Sequence, residues 1–208
     1  MATATSEVRA FALNCTLKPS PAASSTDRLL DSIADELGHH GIKLERARMA
    51  DHRIVPGVTA DEGGGDEWPA LRRQILDADL FVLAAPIWMG HPASHAQVAL
   101  ERLDAFLGEH DDRQQMASVD RVAMVAVVGN EDGAHHVSAE LFQGLNDVGF
   151  TIPANGLTYW VGEAMHTTDL KDLDEIPEKT ASATHLAVTN AVHLAAALAS
   201  QPYPSLEH

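Results

Sequence analysis

Two stretches of this chain are apolar for the full length of a β-strand: Asp79-Leu80-Phe81-Val82-Leu83-Ala84-Ala85 and Arg121-Val122-Ala123-Met124-Val125-Ala126-Val127-Val128, each opening on a single charge. A strand with one wet face alternates apolar and polar residues, whereas a strand apolar on both faces must be covered on both. Helix-like segments separate the strands. Val8 to Leu13 reads as a first strand, and Asp27 to Leu37 has apolar residues at helical spacing. Gly41 closes that helix, and Ile42 to Met49 alternates as an edge strand does. Asp51 to Gly65 is a Gly- and Asp-rich loop; Trp68 to Leu76 is a short helix begun by Asp66 or Glu67, with Pro69 in its first turn. Pro92 to Leu107 and His135 to Val148 are helices, the latter ended by Gly149; Phe150 to Ala154 is a weaker fifth strand, and Lys179 to Ser200 a long Ala-rich helix. Strands alternating with helices imply right-handed crossovers, so the expected fold is α/β, a three-layer doubly wound sandwich. Its five-stranded parallel sheet has the expected order 2-1-3-4-5, with ligands at the carboxyl ends of the strands.

The expected domain is residues 8–200, with an N-terminal tail 1–7 and a C-terminal tail 201–208 ending in what reads as an affinity-tag remnant, Leu206-Glu207-His208. At 208 residues the chain is long enough for one well-buried core. Its formal charge of −16 argues against nucleic acid or an anionic membrane as partner. A single cysteine, Cys15, excludes an internal disulfide, a Cys-based zinc site and an iron–sulfur cluster, and suits a reducing cytoplasm. No signal peptide and no membrane-spanning apolar run is visible, so a cytoplasmic protein is expected.

Three loops at the carboxyl ends of strands one, three and four are unusual. The first, Asn14-Cys15-Thr16-Leu17-Lys18-Pro19-Ser20-Pro21-Ala22-Ala23-Ser24-Ser25-Thr26, aims hydroxyls and backbone N–H groups at a helix N-terminus. That arrangement is an anion site or a helix cap with surplus serines; one cap needs one hydroxyl, and this loop has five. No Gly-Lys-Ser/Thr and no G-x-G-x-x-G accompanies it, so neither a nucleotide P-loop nor a dinucleotide fingerprint is present. The second, Pro86-Ile87-Trp88-Met89-Gly90-His91-Pro92, offers a rigid backbone and the flat face of Trp88. The third, Gly129-Asn130-Glu131-Asp132-Gly133-Ala134, brackets polar groups between glycines.

In these three loops the chain resembles the NAD(P)H-dependent FMN reductase branch of the flavodoxin-like flavoproteins, over roughly Val8 to Ser200. Asn14-Cys15-Thr16-Leu17-Lys18 with Ser24-Ser25-Thr26 stands where that branch has Asn-Gly-Ser-Pro-Arg-Lys-x-Ser-x-Thr. Ala85-Pro86-Ile87-Trp88-Met89-Gly90 matches its Ser-Pro-Val-Tyr-x-Gly loop, and Gly129 to Ala134 matches a Gly-Asn-Glu-x-Gly-Ala loop found in a subset. The resemblance implies that Thr16, Lys18, Ser24, Ser25 and Thr26 hold the phosphate of FMN. It implies that Pro86, Ile87, Trp88, Met89 and Gly90 line one part of the isoalloxazine, with Gly129, Asn130, Glu131 and Gly133 near another. Cys15-Thr16 replaces the usual Gly-Ser, and the insert Pro19 to Ala23 lengthens the loop.

The remaining candidates carry weaker signals. His91, His135, Tyr159 and Trp160 are candidates for the substrate side of the flavin; for each histidine a surface or capping role is the alternative. Tyr159-Trp160-Val161-Gly162, placed after the last strand, packs over the cofactor, at a subunit contact or at the base of the loop Glu163 to Pro177. His91 and His95 share a helix face without a carboxylate pattern, and His135-His136 diverge around a helix, so no metal is expected. A reactive thiol at Cys15 is the alternative to a small packed residue. The resemblance implies FMN as cofactor, NADPH or NADH as donor, and a small-molecule acceptor such as a flavin or quinone. It also implies a homodimer or dimer of dimers. An acidic flavodoxin-type electron carrier is the alternative.

Overall fold

The computed structural model describes residues 8–206; the expected N-terminal tail 1–7, and Glu207 and His208 of the expected tag remnant, lie outside the described residues. Strands β1 (Ala10–Asn14), β2 (Leu44–Arg48), β3 (Leu80–Trp88), β5 (Val122–Gly129) and β6 (Leu157–Val161) form a parallel sheet in the order β2-β1-β3-β5-β6. Counted by its five parallel members, this is the expected 2-1-3-4-5 order. A two-residue strand β4 (His91–Pro92) folds back antiparallel onto the end of β3. Helices α1 (Ser25–His39) and α5 (Glu178–Ser200) cover one face, and α2 (Trp68–Asp77), α3 (Ser94–Leu103) and α4 (Ala134–Asp147) the other.

The uninterrupted apolar strands earn their central places. Even-numbered β3 and β5 residues such as Val82, Ala84, Met124 and Ala126 pack with Leu29, Ile33 and Val188 of α1 and α5. Odd-numbered neighbours Phe81, Leu83, Val125 and Val127 pack with Leu71, Ile75, Leu103 and Leu141. Each such fully buried side chain is worth about 1.5–3 kcal/mol of transfer free energy. Arg102 of α3 is buried too, and it pairs with the buried carboxylate of Asp66 at 2.7 Å, locking the long loop before α2 onto the domain.

Three local expectations are corrected. The fifth strand is Leu157–Val161, not Phe150 to Ala154. Thr151 makes a single bridge to Val122 before Pro153, which has no N–H, and a turn closed by Gly156 N–H to the Pro153 carbonyl, carry the chain out of the ladder. It re-enters at Leu157, so Tyr159 and Trp160 lie inside a strand instead of after one. β3 runs on to Trp88, past the expected end at Ala85, because Pro86 needs no donor where only its carbonyl is paired, with Ala93 N–H. The helix expected over 92–107 is α-helical only from Ser94 to Leu103 and then tightens into a 3₁₀ turn, Asp104–Gly108. The described part of the C-terminal tail is docked: Tyr203 N–H donates to Asp120 and Leu206 N–H to the Arg113 carbonyl.

Candidate functional site

At the carboxyl end of β1 the chain is pinned by its own side chains. Asn14 Oδ1 accepts from Thr16 N–H at 2.9 Å, and Asn14 Nδ2 donates to Asp27 Oδ1 at 2.6 Å. Asp27 is also paired with the Arg48 guanidinium, whose other nitrogen donates to the Lys18 carbonyl at 3.1 Å. His95 meets the Thr16 carbonyl at 2.9 Å from α3. The loop is therefore held from behind, and the insert Pro19 to Ala23 is exposed. Ser20 faces away from the helix start: its N–H and hydroxyl both donate to Asp51, at 2.7 and 2.6 Å.

The three hydroxyls at the start of α1 divide their work. Ser24 is the N-cap, its Oγ accepting from Thr26 N–H at 3.2 Å. Ser25 Oγ accepts from Lys171 N–H at 3.3 Å and ties in the loop after β6. Thr26 Oγ1 is buried and has no hydrogen-bond partner in the protein. A buried unpaired hydroxyl costs about 1–3 kcal/mol, so it marks a place where a ligand acceptor belongs.

The other end of the site is built on β3 and β5. Trp88, Met89, Gly90 and His91 form a two-residue hairpin turn with Met89 at φ 54° and Gly90 at φ 76°, both left-handed. Met89 in that region is strained for a non-glycine residue, and its N–H is held by Glu131 Oε1 at 2.8 Å. Gly129 lets β5 approach β3 closely: a Cβ there meets the Ile87 side chain at 3.0 Å. Gly162 does the same for Trp160, since a Cβ meets the indole edge at 2.5 Å. Gly162 N–H closes on the Gly129 carbonyl at 2.8 Å.

Between these two ends lies one cavity of about 460 Å³. It gathers Thr16, Lys18, Ser24, Ser25 and Thr26 at one end, and Pro86, Ile87, Trp88, Met89, Gly129, Asn130 and Glu131 at the other, with Trp160 as a wall. Gly90, Gly133, His91, His135 and Tyr159 do not line it. Gly133, at φ 121°, instead packs its Cα against the Gly90 backbone, where any Cβ would lie 3.0 Å from Gly90 Cα and O. Gly90 is thus part of the turn and Gly133 backs it from outside. Alternation along β6 sends Trp160 to the α1/α5 side of the sheet and Tyr159 to the other, where it meets His135 edge-on at 5.3 Å.

Sequence reading missed Leu17, Val128, Met165, His166 and Asp169, which also line the cavity. The last three come from the loop after β6, which is fastened by Asn130 Nδ2 donating to the His166 carbonyl at 3.1 Å and to Asp169 Oδ1 at 2.9 Å. Lys171 Nζ reaches Asp169 Oδ2 at 3.1 Å. Nothing local in the sequence flags those contacts, because the partners stand 36 and 39 residues apart. Cys15 is buried, and burial pushes its thiol well above the ordinary thiol range, which disfavours the thiolate that a reactive cysteine needs. The site's charges are Lys18 at the α1 end and Glu131 with Asp169 at the other.

Comparison with known proteins places this geometry. The family model described as NADPH-dependent FMN reductase matches residues 8–166. The chain is 32% identical over 206 residues to 8-demethyl-8-aminoriboflavin-5'-phosphate synthase of Streptomyces davaonensis, covering 94% of this chain and 80% of that protein. The crystal structure of RosB with the bound intermediate 8-demethyl-8-formylriboflavin-5'-phosphate superposes with a TM-score of 0.85 at 32% identity, over 94% of this chain and 82% of that one. A 161-residue stretch is 38% identical to a protein named divalent metal cation transporter MntH from Mycobacterium bovis, but the chain spans only 24% of that protein's length. Among the described residues no helix is long and apolar enough to cross a membrane. The apo NADH:FMN oxidoreductase EMOB, at TM-score 0.66 and 16% identity over 95% of this chain and 94% of that one, shares the fold. So does an archaeal flavodoxin, at TM-score 0.54 and 7% identity over 90% and 99%. With a family match over most of its length and a flavodoxin-like sheet, the chain belongs to the NADPH-dependent FMN reductase family.

Proposed function

We propose that this protein is an FMN-dependent oxidoreductase that takes hydride from NADPH or NADH and passes the electrons to a small acceptor such as a flavin or quinone. The observation that carries the reading is the buried, unpartnered hydroxyl of Thr26 at the N-terminus of α1, a residue at the wall of the cavity that Ile87 and Trp160 also line. Thr26, the α1 N-terminus and Lys18 fit a dianionic phosphate; the apolar walls fit a planar ring. When bound, the flavin supplies the redox chemistry, accepting hydride at N5 and releasing electrons to the acceptor.

The chain's residues do the rest. Glu131 holds the Met89 turn rigid beside the slot. Asn130 and Asp169 hold the loop that closes the far wall. Trp88, 55% exposed, and Met165, 98% exposed, flank an open mouth through which a nicotinamide or acceptor ring can stack. Exposed apolar side chains there also suit a second chain enclosing the mouth, in line with a homodimer or dimer of dimers in the cytoplasm.

A second reading is favoured by one observation: the similarity over nearly the whole chain to a synthase whose name is that of a modified flavin phosphate. On that reading the flavin phosphate is itself the substrate and leaves altered. Anaerobic titration of the FMN-loaded protein with NADPH and with NADH, followed by chromatography and mass measurement of the released flavin, separates the two. Bleaching with an unchanged flavin mass is expected for the reductase. Bleaching by dithionite alone would leave an electron carrier, a flavin of new mass would establish the second reading, and a protein that ignores FMN would sink all of them.

A further inference from the structure

We propose that His91, His136 and Glu140 form a binding site for a zinc-class divalent cation, outside the flavin cavity. Among the described residues they are the one group of three histidine, cysteine or acidic side chains whose ligand atoms all lie within 4.8 Å of one another. Glu140 Oε1 sits 2.6 Å from His136 Nε2 and 3.1 Å from His91 Nδ1. The two imidazoles meet edge to face with centroids 5.0 Å apart. Ligand atoms around a tetrahedral ion with bonds of ~2.1 Å are about 3.4 Å apart, so small side-chain adjustments seat an ion among these three.

The sequence hides this site. His91 and His95 look like the natural pair at four-residue spacing, but His95 turns to the Thr16 carbonyl while His91 leaves on β4. His136 and Glu140 are one helical turn apart on α4, the usual i,i+4 spacing of a chelating pair, and the hairpin brings the third ligand across 49 residues. Two imidazole nitrogens and one carboxylate, with no thiolate, select zinc over magnesium or calcium, which prefer all-oxygen shells. The histidine side chains are 65% and 57% exposed, leaving open coordination positions to water. The chain's charge of −16 favours cation capture.

An ion held there ties β4 to α4. β4 carries the strained Met89–Gly90 turn, and α4 is entered from the Gly129–Gly133 loop; both border the flavin cavity. The site itself does not depend on the flavin reading, and it is tested without flavin.

The test is isothermal titration of the metal-free full chain with zinc chloride, with zinc K-edge absorption on the loaded protein. Wild type is expected to take one ion per chain with nitrogen and oxygen ligands, and to gain roughly 5–10 °C in Tm at a hundredfold excess over Kd. His91→Ala and His136→Gln, on separate elements and both exposed, should each weaken binding about tenfold or more by removing a first ligand. His39→Ala and His185→Ala, whose imidazoles flank Glu36 instead, should leave it unchanged. Zinc binding that survives both His91→Ala and His136→Gln, or that disappears in the Glu36-flanking variants, overturns the proposal, as does a wild type that binds no ion.

Discussion

Replacing Thr26 by valine should raise the stability of the ligand-free protein and lower its affinity for FMN, two effects of opposite sign from one oxygen atom. Valine keeps the shape and β-branching of threonine, and the cap from Ser24 Oγ to the residue-26 N–H does not involve the side chain. Thr26 is 1% exposed and its Oγ1 has no partner, so the free protein carries the desolvation cost of a hydroxyl, about 1–3 kcal/mol. Removing it should therefore stabilise the free chain by about 1 kcal/mol or more, read as the urea midpoint of the far-ultraviolet circular dichroism transition at unchanged slope. On the proposed reading the same hydroxyl donates to a charged phosphate oxygen in the complex, a bond worth about 1.5–3 kcal/mol, and its loss should weaken FMN about 10- to 150-fold in a flavin fluorescence titration. At saturating FMN the order of stabilities should shrink or invert, since the wild type gains more from mass action. A free variant less stable than wild type would mean that Thr26 has a structural partner; an unchanged FMN affinity would mean that the hydroxyl does not face the phosphate. Either result removes the main support for the site.

Three further outcomes are expected. Gly162→Ala places a methyl group 2.5 Å from the edge of Trp160, so the indole must shift; this should lower flavin affinity and cost about 1–3 kcal/mol of stability, read by a flavin titration beside a urea melt. Arg102→Met leaves the Asp66 carboxylate buried without its counter-ion and should cost about 3–5 kcal/mol by urea melt. Burial alone would raise Asp66, but hydrogen bonds from the backbone of Glu62, Val55 and Trp68 and from Arg102 outweigh it and hold its pKa below the usual carboxylate range. Its contribution is therefore present above about pH 4 and lost as pH falls through the depressed value, so the gap between wild type and Arg102→Met should close in acid. Cys15 should resist thiol reagents in the native protein at pH 8 and react on unfolding, because burial disfavours the thiolate; rapid native labelling would contradict the packing of β1.

The sequence by itself determined the central strands of the sheet and the capped start of α1. Apolar runs such as Leu80 to Ala85 can be satisfied only between two helix layers, and Ser24-Ser25-Thr26 is read by the helix it starts; both signals are local, so periodicity and capping chemistry suffice. The slot was legible in part, because Pro86 to Met89 and Gly129 to Glu131 each sit at a strand end that the topology brings to one edge. Tertiary structure alone decided the rest. It drew Asp169 and His166 to Asn130, turned Ser20 outward to Asp51, moved the last strand past Pro153, and exchanged the apparent His91–His95 pair for His91, His136 and Glu140. In each of those cases the partners come from separate elements, and their meeting depends on where a loop crosses the sheet edge, a quantity that no local spacing encodes.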